Sequence, residues 1–104
     1  MSDIVKFYDV EFEIIEVRGE RAVRASALAK ALEYSSDKAL TNLVNRNQTE
    51  FSEKAWVIKL MTDEGLRDCL VLSYHGVIRA TYLSKTKRSR EFRDWADDVL
   101  FKVM

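Results

Sequence analysis

Apolar residues change their spacing along this chain, and that change limits the fold more than any other property. In VKFYDVEFEIIEV, Phe7, Val10, Phe12 and Ile14 stand among Lys6, Asp9, Glu11 and Glu13, a period of two that marks a half-exposed strand. The alternation slips at Ile14-Ile15, which signals a bulge or a change of face. RGER at 18–21 supplies a glycine turn into Ala22-Val23, so residues 4–24 are expected to form a β-hairpin. In ASALAKALEYSSDKALTNLVNRN the apolar positions become Ala25, Leu28, Ala29 and Leu32. After the break Glu33-Tyr34-Ser35-Ser36 they continue at Ala39, Leu40, Leu43 and Val44. That is helix spacing. Ser26 is the expected N-cap of the first helix, and Ser36 or Asp37 of the second. Two short helices with a tight turn between them form a helix-turn-helix-like unit over residues 26–47.

The cycle then repeats. Strands are expected near 55–61 and 67–72 around the turn Thr62-Asp63-Glu64-Gly65. Both are apolar on both faces for part of their length, as central or covered strands are. Ser73 is placed to cap a helix running through Tyr82. The last helix starts at about Ser89 and carries Phe92, Trp95, Ala96, Val99, Leu100 and Val103 on one face. The order is β-hairpin, two helices, β-hairpin, two helices, and the fold class is α+β. With 104 residues, no proline, no repeat and no low-complexity stretch, residues 1–104 are expected to be a single domain.

Several function classes drop out on chemistry. His75 is the only histidine and Cys69 the only cysteine, so neither a four-ligand metal set nor an internal disulfide is expected. His75 lies beside Gly76 at a predicted helix start, where a histidine serves as a cap or a surface group. The three glycines form no phosphate-cradling loop. The expectation is no enzyme, no catalytic residues and no cofactor. No apolar run approaches the roughly 20 residues of a membrane span, and the acidic, alternating N-terminus is unlike a signal peptide. A lone cysteine fits a reducing compartment, so the expected location is cytoplasmic.

Net charge is zero, yet the charges are segregated. Residues 1–20 hold Asp3, Asp9, Glu11, Glu13, Glu16 and Glu20 against Lys6 and Arg18. Residues 79–93 hold Arg79, Lys85, Lys87, Arg88, Arg90 and Arg93 against Glu91. Separated signs produce a local field that the total conceals. Two basic candidates follow. Opposite the apolar stripe of the second helix lie Lys38, Thr41, Asn42, Asn45 and Arg46, an acid-free polar face. Asn pairs bidentately with adenine, Arg with guanine, and Thr meets a thymine methyl or a phosphate. The loop cations Lys85, Lys87, Arg88 and Arg90, with the hydroxyls of Ser84, Thr86 and Ser89, suit phosphates. They equally suit the acidic hairpin, or Asp94, Asp97 and Asp98. Their place at a helix N-terminus opposes the helix dipole, which favours acids there. Tyr82 could stack on a base, but beside Leu83 it is expected in the core.

Two stretches carry a family resemblance. VRASALAKALEYSSDKAL resembles the first half of the Bro-N domain, with its Ala-rich helix, Tyr-containing break and Lys/Ala-rich second helix. LVLSYHGVIRATYLSKTKRSREFRDWADDVL resembles the second half, with its apolar strand, Ser-x-x-Gly helix start, basic loop, Phe-x-x-Trp and Val-Leu ending. Together they span about residues 10 to 100. Bro-N domains occur in phage and large-DNA-virus proteins, often as the N-terminal half of antirepressors, and are related to KilA-N. The resemblance implies a phage or prophage regulator of antirepressor type that binds double-stranded DNA in the bacterial host cytosol. The alternative is a module that sequesters a repressor or other host protein, or that pairs with itself as a homodimer, acidic hairpin to basic loop. Departures are Glu33, where the family usually has glycine, and Phe101, where proline is common. Members also tend to carry a separate C-terminal domain, which is either trimmed away or absent here.

Overall fold

The computed structural model describes residues 4–104; Asp3 lies outside them. Residues 4–24 form two hairpins where one was expected. β1 (Ile4–Phe7) pairs antiparallel with β2 (Val10–Glu13), and β3 (Ile15–Val17) with β4 (Glu20–Arg24). The slip at Ile14-Ile15 is the point where the chain leaves one sheet for the next. Phe7, Phe12 and Ile14 are buried in the main core, whereas Val17 is buried in a separate cluster. Arg18 and Gly19 both have positive φ (53° and 80°), the two-residue turn whose twist matches the strands it joins.

Helices α1 (Ala25–Ala31) and α2 (Asp37–Arg46) follow. Their apolar stripes face inward as their spacing predicts: Leu28, Leu32 and Leu40 are fully buried, and Leu43 and Val44 nearly so. Capping differs in detail. Arg24, not Ser26, occupies the N-cap of α1, and Ser36 at the N-cap of α2 makes no side-chain capping bond. Glu33, where the resemblance implies glycine, has φ 63°. This is the left-handed conformation that ends helices and favours glycine. The departure therefore leaves the turn intact and strains one residue.

β5 (Ala55–Thr62) and β6 (Gly65–Ser73) pair along their whole length. Only Val71, Leu72 and Ser73 of β6 reach β4, giving a four-stranded sheet in the order β3-β4-β6-β5. β5 is thus an edge strand, contrary to the expectation that both strands are central or covered. Val57, Met61 and Leu66 are 64%, 76% and 60% exposed. Their apolar character implied burial, but among the described residues neither buried apolar cluster extends to them.

α3 (Tyr74–Leu83) is capped by the buried Ser73, whose Oγ accepts from the Gly76 amide. Gly76 packs directly on the chain before β5: an added Cβ would press into the Lys54 carbonyl and stand 3.2 Å from Leu72 Cβ. α4 (Arg88–Trp95) runs on through a π-helical turn, Ala96–Leu100, into a last turn, Phe101–Val103. Phe92, Ala96 and Leu100 are fully buried. Phe92 meets Phe7, Phe12 and Trp95 at ring separations of 5.2, 5.6 and 5.4 Å. That aromatic knot joins the first hairpin to the last helix. On the other face of the four-stranded sheet, Val17, Ala22 and Val71 form a second buried cluster, against which the half-buried Ile15, Trp56, Ile58 and Leu60 pack.

Candidate nucleic-acid interface

α2 presents two faces because its apolar residues return every three to four positions. With Leu40, Leu43 and Val44 in the core, Lys38, Asn42, Asn45 and Arg46 are exposed. Among the described residues none of the four side chains has a hydrogen-bond or ion-pair partner. Thr41 differs. It is half-buried, and its hydroxyl lies 3.4 Å from the Asp37 carbonyl, to which it donates. It lines a cleft with Arg24, Ser26, Arg67 and Cys69, between the helical pair and the β5–β6 ribbon. Arg24 reaches across this cleft to Cys69 Sγ at 3.7 Å, while its own Nε is buried without a partner.

The basic loop is tied to the break between α1 and α2. Tyr34 Oη donates to Ser84 Oγ at 3.0 Å, and Arg88 Nε lies 3.6 Å from Glu33 Oε1. Loop and α2 are therefore positioned by the same four-residue break. Ser89 is buried and donates to the Thr86 carbonyl at 2.9 Å, which closes the first turn of α4. Lys85, Lys87 and Arg90 remain exposed and without partners among the described residues.

Arg88 is engaged within the chain. Its guanidinium lies 4.1 Å from the ring centre of Tyr8 and 5.9 Å from that of Phe7. Tyr8 takes a positive φ of 55° at the tip of the first hairpin, and its hydroxyl donates to the Glu91 carboxylate. That bond, more than desolvation, raises the Tyr8 pKa above the usual phenol value. A strained aromatic residue held by both Arg88 and Glu91 is a clasp between hairpin and helix. The hairpin's carboxylates do not neutralise the loop: among the described residues no ion pair joins Asp9, Glu11, Glu13, Glu16 or Glu20 to Lys85, Lys87, Arg88 or Arg90. Asp9, Glu11 and Glu13 instead line a cleft with Arg24 and Lys30.

Tyr82, expected in the core, is 66% exposed. The guanidinium of Arg93 lies 4.4 Å from its ring centre, with Nε buried and lacking a partner. Sequence reading missed Arg93 as an ordered cation beside the loop. The signal was its place eleven residues after Tyr82 across a loop, which only the packing of α3 on α4 makes a contact. His75 is exposed in the first turn of α3. Among the described residues no three His, Cys, Asp or Glu side chains gather to hold a metal, and no helix is long and apolar enough to cross a membrane.

Compared with known proteins, residues 11–102 match the model of the BRO family, N-terminal domain. No curated protein and no solved structure matches the chain.

Proposed function

The chain belongs to the BRO family as an N-terminal domain, and from that premise we propose that it is a phage or prophage regulator of antirepressor type that binds double-stranded DNA. The family is associated with antirepressor and DNA-binding regulatory proteins. The exposed face of α2, with Lys38, Asn42, Asn45 and Arg46, reads base edges, and Thr41 contributes at its inner margin. Lys85, Lys87 and Arg90 contact phosphates, and Arg88 holds the loop in place from beneath. The observation that carries this reading is the row of exposed polar side chains on α2, without partners among the described residues, together with a basic loop tied to the break that precedes that helix.

Fluorescence anisotropy with duplex DNA tests it. Log K falls with log salt by about 0.9 per phosphate neutralised. Charge reversal at Lys87 and Arg90 together is expected to lower the slope by roughly two such contacts. Affinity without salt dependence, or affinity indifferent to that reversal, overturns the reading. A second reading, capture of a repressor or other host protein, is favoured by one observation, the bare apolar ribbon of Val57, Met61 and Leu66. Retrieval of a protein and no nucleic acid from host lysate would select it.

A further inference from the structure

β5 is built like an interior strand and sits at an edge. Its sequence AWVIKLMT has no proline and one charge, and it pairs with β6 without a bulge. Soluble proteins blunt such edges with charge, proline or twist, because unpaired backbone groups recruit another strand. Lys59 is the one such device here, and Asp68 of β6 partners it at 3.0 Å. Above the strand, the half-buried Trp56, Ile58 and Leu60 extend the buried cluster of Val17, Ala22 and Val71 to this edge. The opposite edge, β3, has three residues, so pairing at β5 closes an assembly and does not propagate it.

We propose that β5 pairs antiparallel with β5 of a second copy, joining two four-stranded sheets into one. The register follows from geometry. Residues opposite each other in one sheet point to the same face, so the two-fold axis passes through a residue. Axes through Ile58 or Lys59 keep the most of the strand paired. The Lys59 axis sets two lysines face to face, which like charges disfavour. The Ile58 axis sets Val57 against Lys59 of the second copy, Trp56 against Leu60, and Ala55 against Met61. Trp56, Ile58 and Leu60 of both copies then form one apolar band across the seam. Strand self-complementarity at this register favours a second copy over an unrelated strand. A strand edge of roughly 23 Å, at about 3.3 Å per residue, buries less than a standard interface, so a weak dimer of roughly micromolar affinity is expected.

Sedimentation velocity from about 1 to 300 µM brackets that affinity and is expected to show a monomer–dimer equilibrium. Val57 is exposed, so substitutions there leave folding intact, as circular dichroism melts will verify. Val57→Lys opposes Lys59 twice per dimer and is expected to weaken association about tenfold or more. Val57→Glu faces Lys59 with the opposite charge and retains or tightens the dimer. In a Cys69→Ser background, Ile58→Cys cross-links across the axis on oxidation, since opposed strand residues have disulfide spacing; Lys59→Cys cross-links less. A monomer at every concentration overturns the proposal. So does a dimer that Val57→Lys leaves unchanged, because it uses another face. Neither result bears on DNA affinity of the monomer, so this interface and the DNA reading fail separately.

Discussion

Replacing Arg88 by alanine separates the cation that holds the fold from the neighbouring cations that face solvent. The side chain is 30% exposed, and its contacts are the Tyr8 ring at 4.1 Å and the Glu33 carboxylate at 3.6 Å. A cation over an exposed ring contributes about 0.5–1 kcal/mol. An ion pair to a mostly exposed carboxylate contributes about 0.2–1 kcal/mol, here at the lower end because Glu33 is 56% exposed. Arg88→Ala is therefore expected to cost about 1 kcal/mol, a fall in Tm of roughly 4–8 °C for a domain of this size. Urea and thermal unfolding, followed by far-ultraviolet circular dichroism, measure it. Anisotropy titrations below the melting range then measure DNA affinity against salt. Lys87→Ala is expected to leave the unfolding midpoint in place and reduce the salt slope by about 0.9. Arg88→Ala is expected to do the reverse. If Arg88→Ala melts within about 1 °C of the parent and lowers the slope as Lys87→Ala does, Arg88 is a phosphate ligand and the clasp contributes nothing.

Gly76→Ala places a methyl against the Lys54 carbonyl and Leu72, where neither backbone nor core can yield, and is expected to cost about 2–3 kcal/mol in urea unfolding. Glu33→Val puts a β-branched residue at φ 63° and should lose about 1–2 kcal/mol. Glu33→Gly relieves the same strain, loses the Arg88 pair and melts close to the parent. Tyr74 donates to Asp97 at 3.0 Å, and burial first, then that hydrogen bond, pushes its pKa up to about 12. A phenol whose folded pKa exceeds its unfolded value of about 10 contributes stability that is complete below pH 10 and lost as pH rises through 12. Urea midpoints should fall between those pH values, and Tyr74→Phe should flatten that fall.

Local pattern was enough for most of the architecture. Period two in residues 5–17, helix spacing from Ala25 and again from Phe92, and Ser73 as a cap each depend on neighbours a turn or a strand pair away. These features all emerge where residue spacing places them. The α+β class and the family were legible for the same reason, as was the exposed face of α2, since the stripe of Leu40, Leu43 and Val44 leaves its opposite side to solvent.

Tertiary packing decided the rest. Whether an apolar strand such as β5 is central or an edge depends on how far the sheet and helices extend, which residues 55–62 do not encode. Tyr82 and Tyr8 have ordinary local surroundings, yet one is exposed beneath Arg93 and the other clasps Arg88 and Glu91 across 83 positions of chain. Lys85, Lys87, Arg88 and Arg90 look equivalent in sequence. Only Arg88 lies within reach of Tyr8 and Glu33, because the aromatic contacts of Phe92 with Phe7 and Phe12 bring the hairpin to α4. Side-chain spacing selects secondary structure through neighbours near in sequence, whereas burial and ion pairing are set by neighbours that the fold alone brings together.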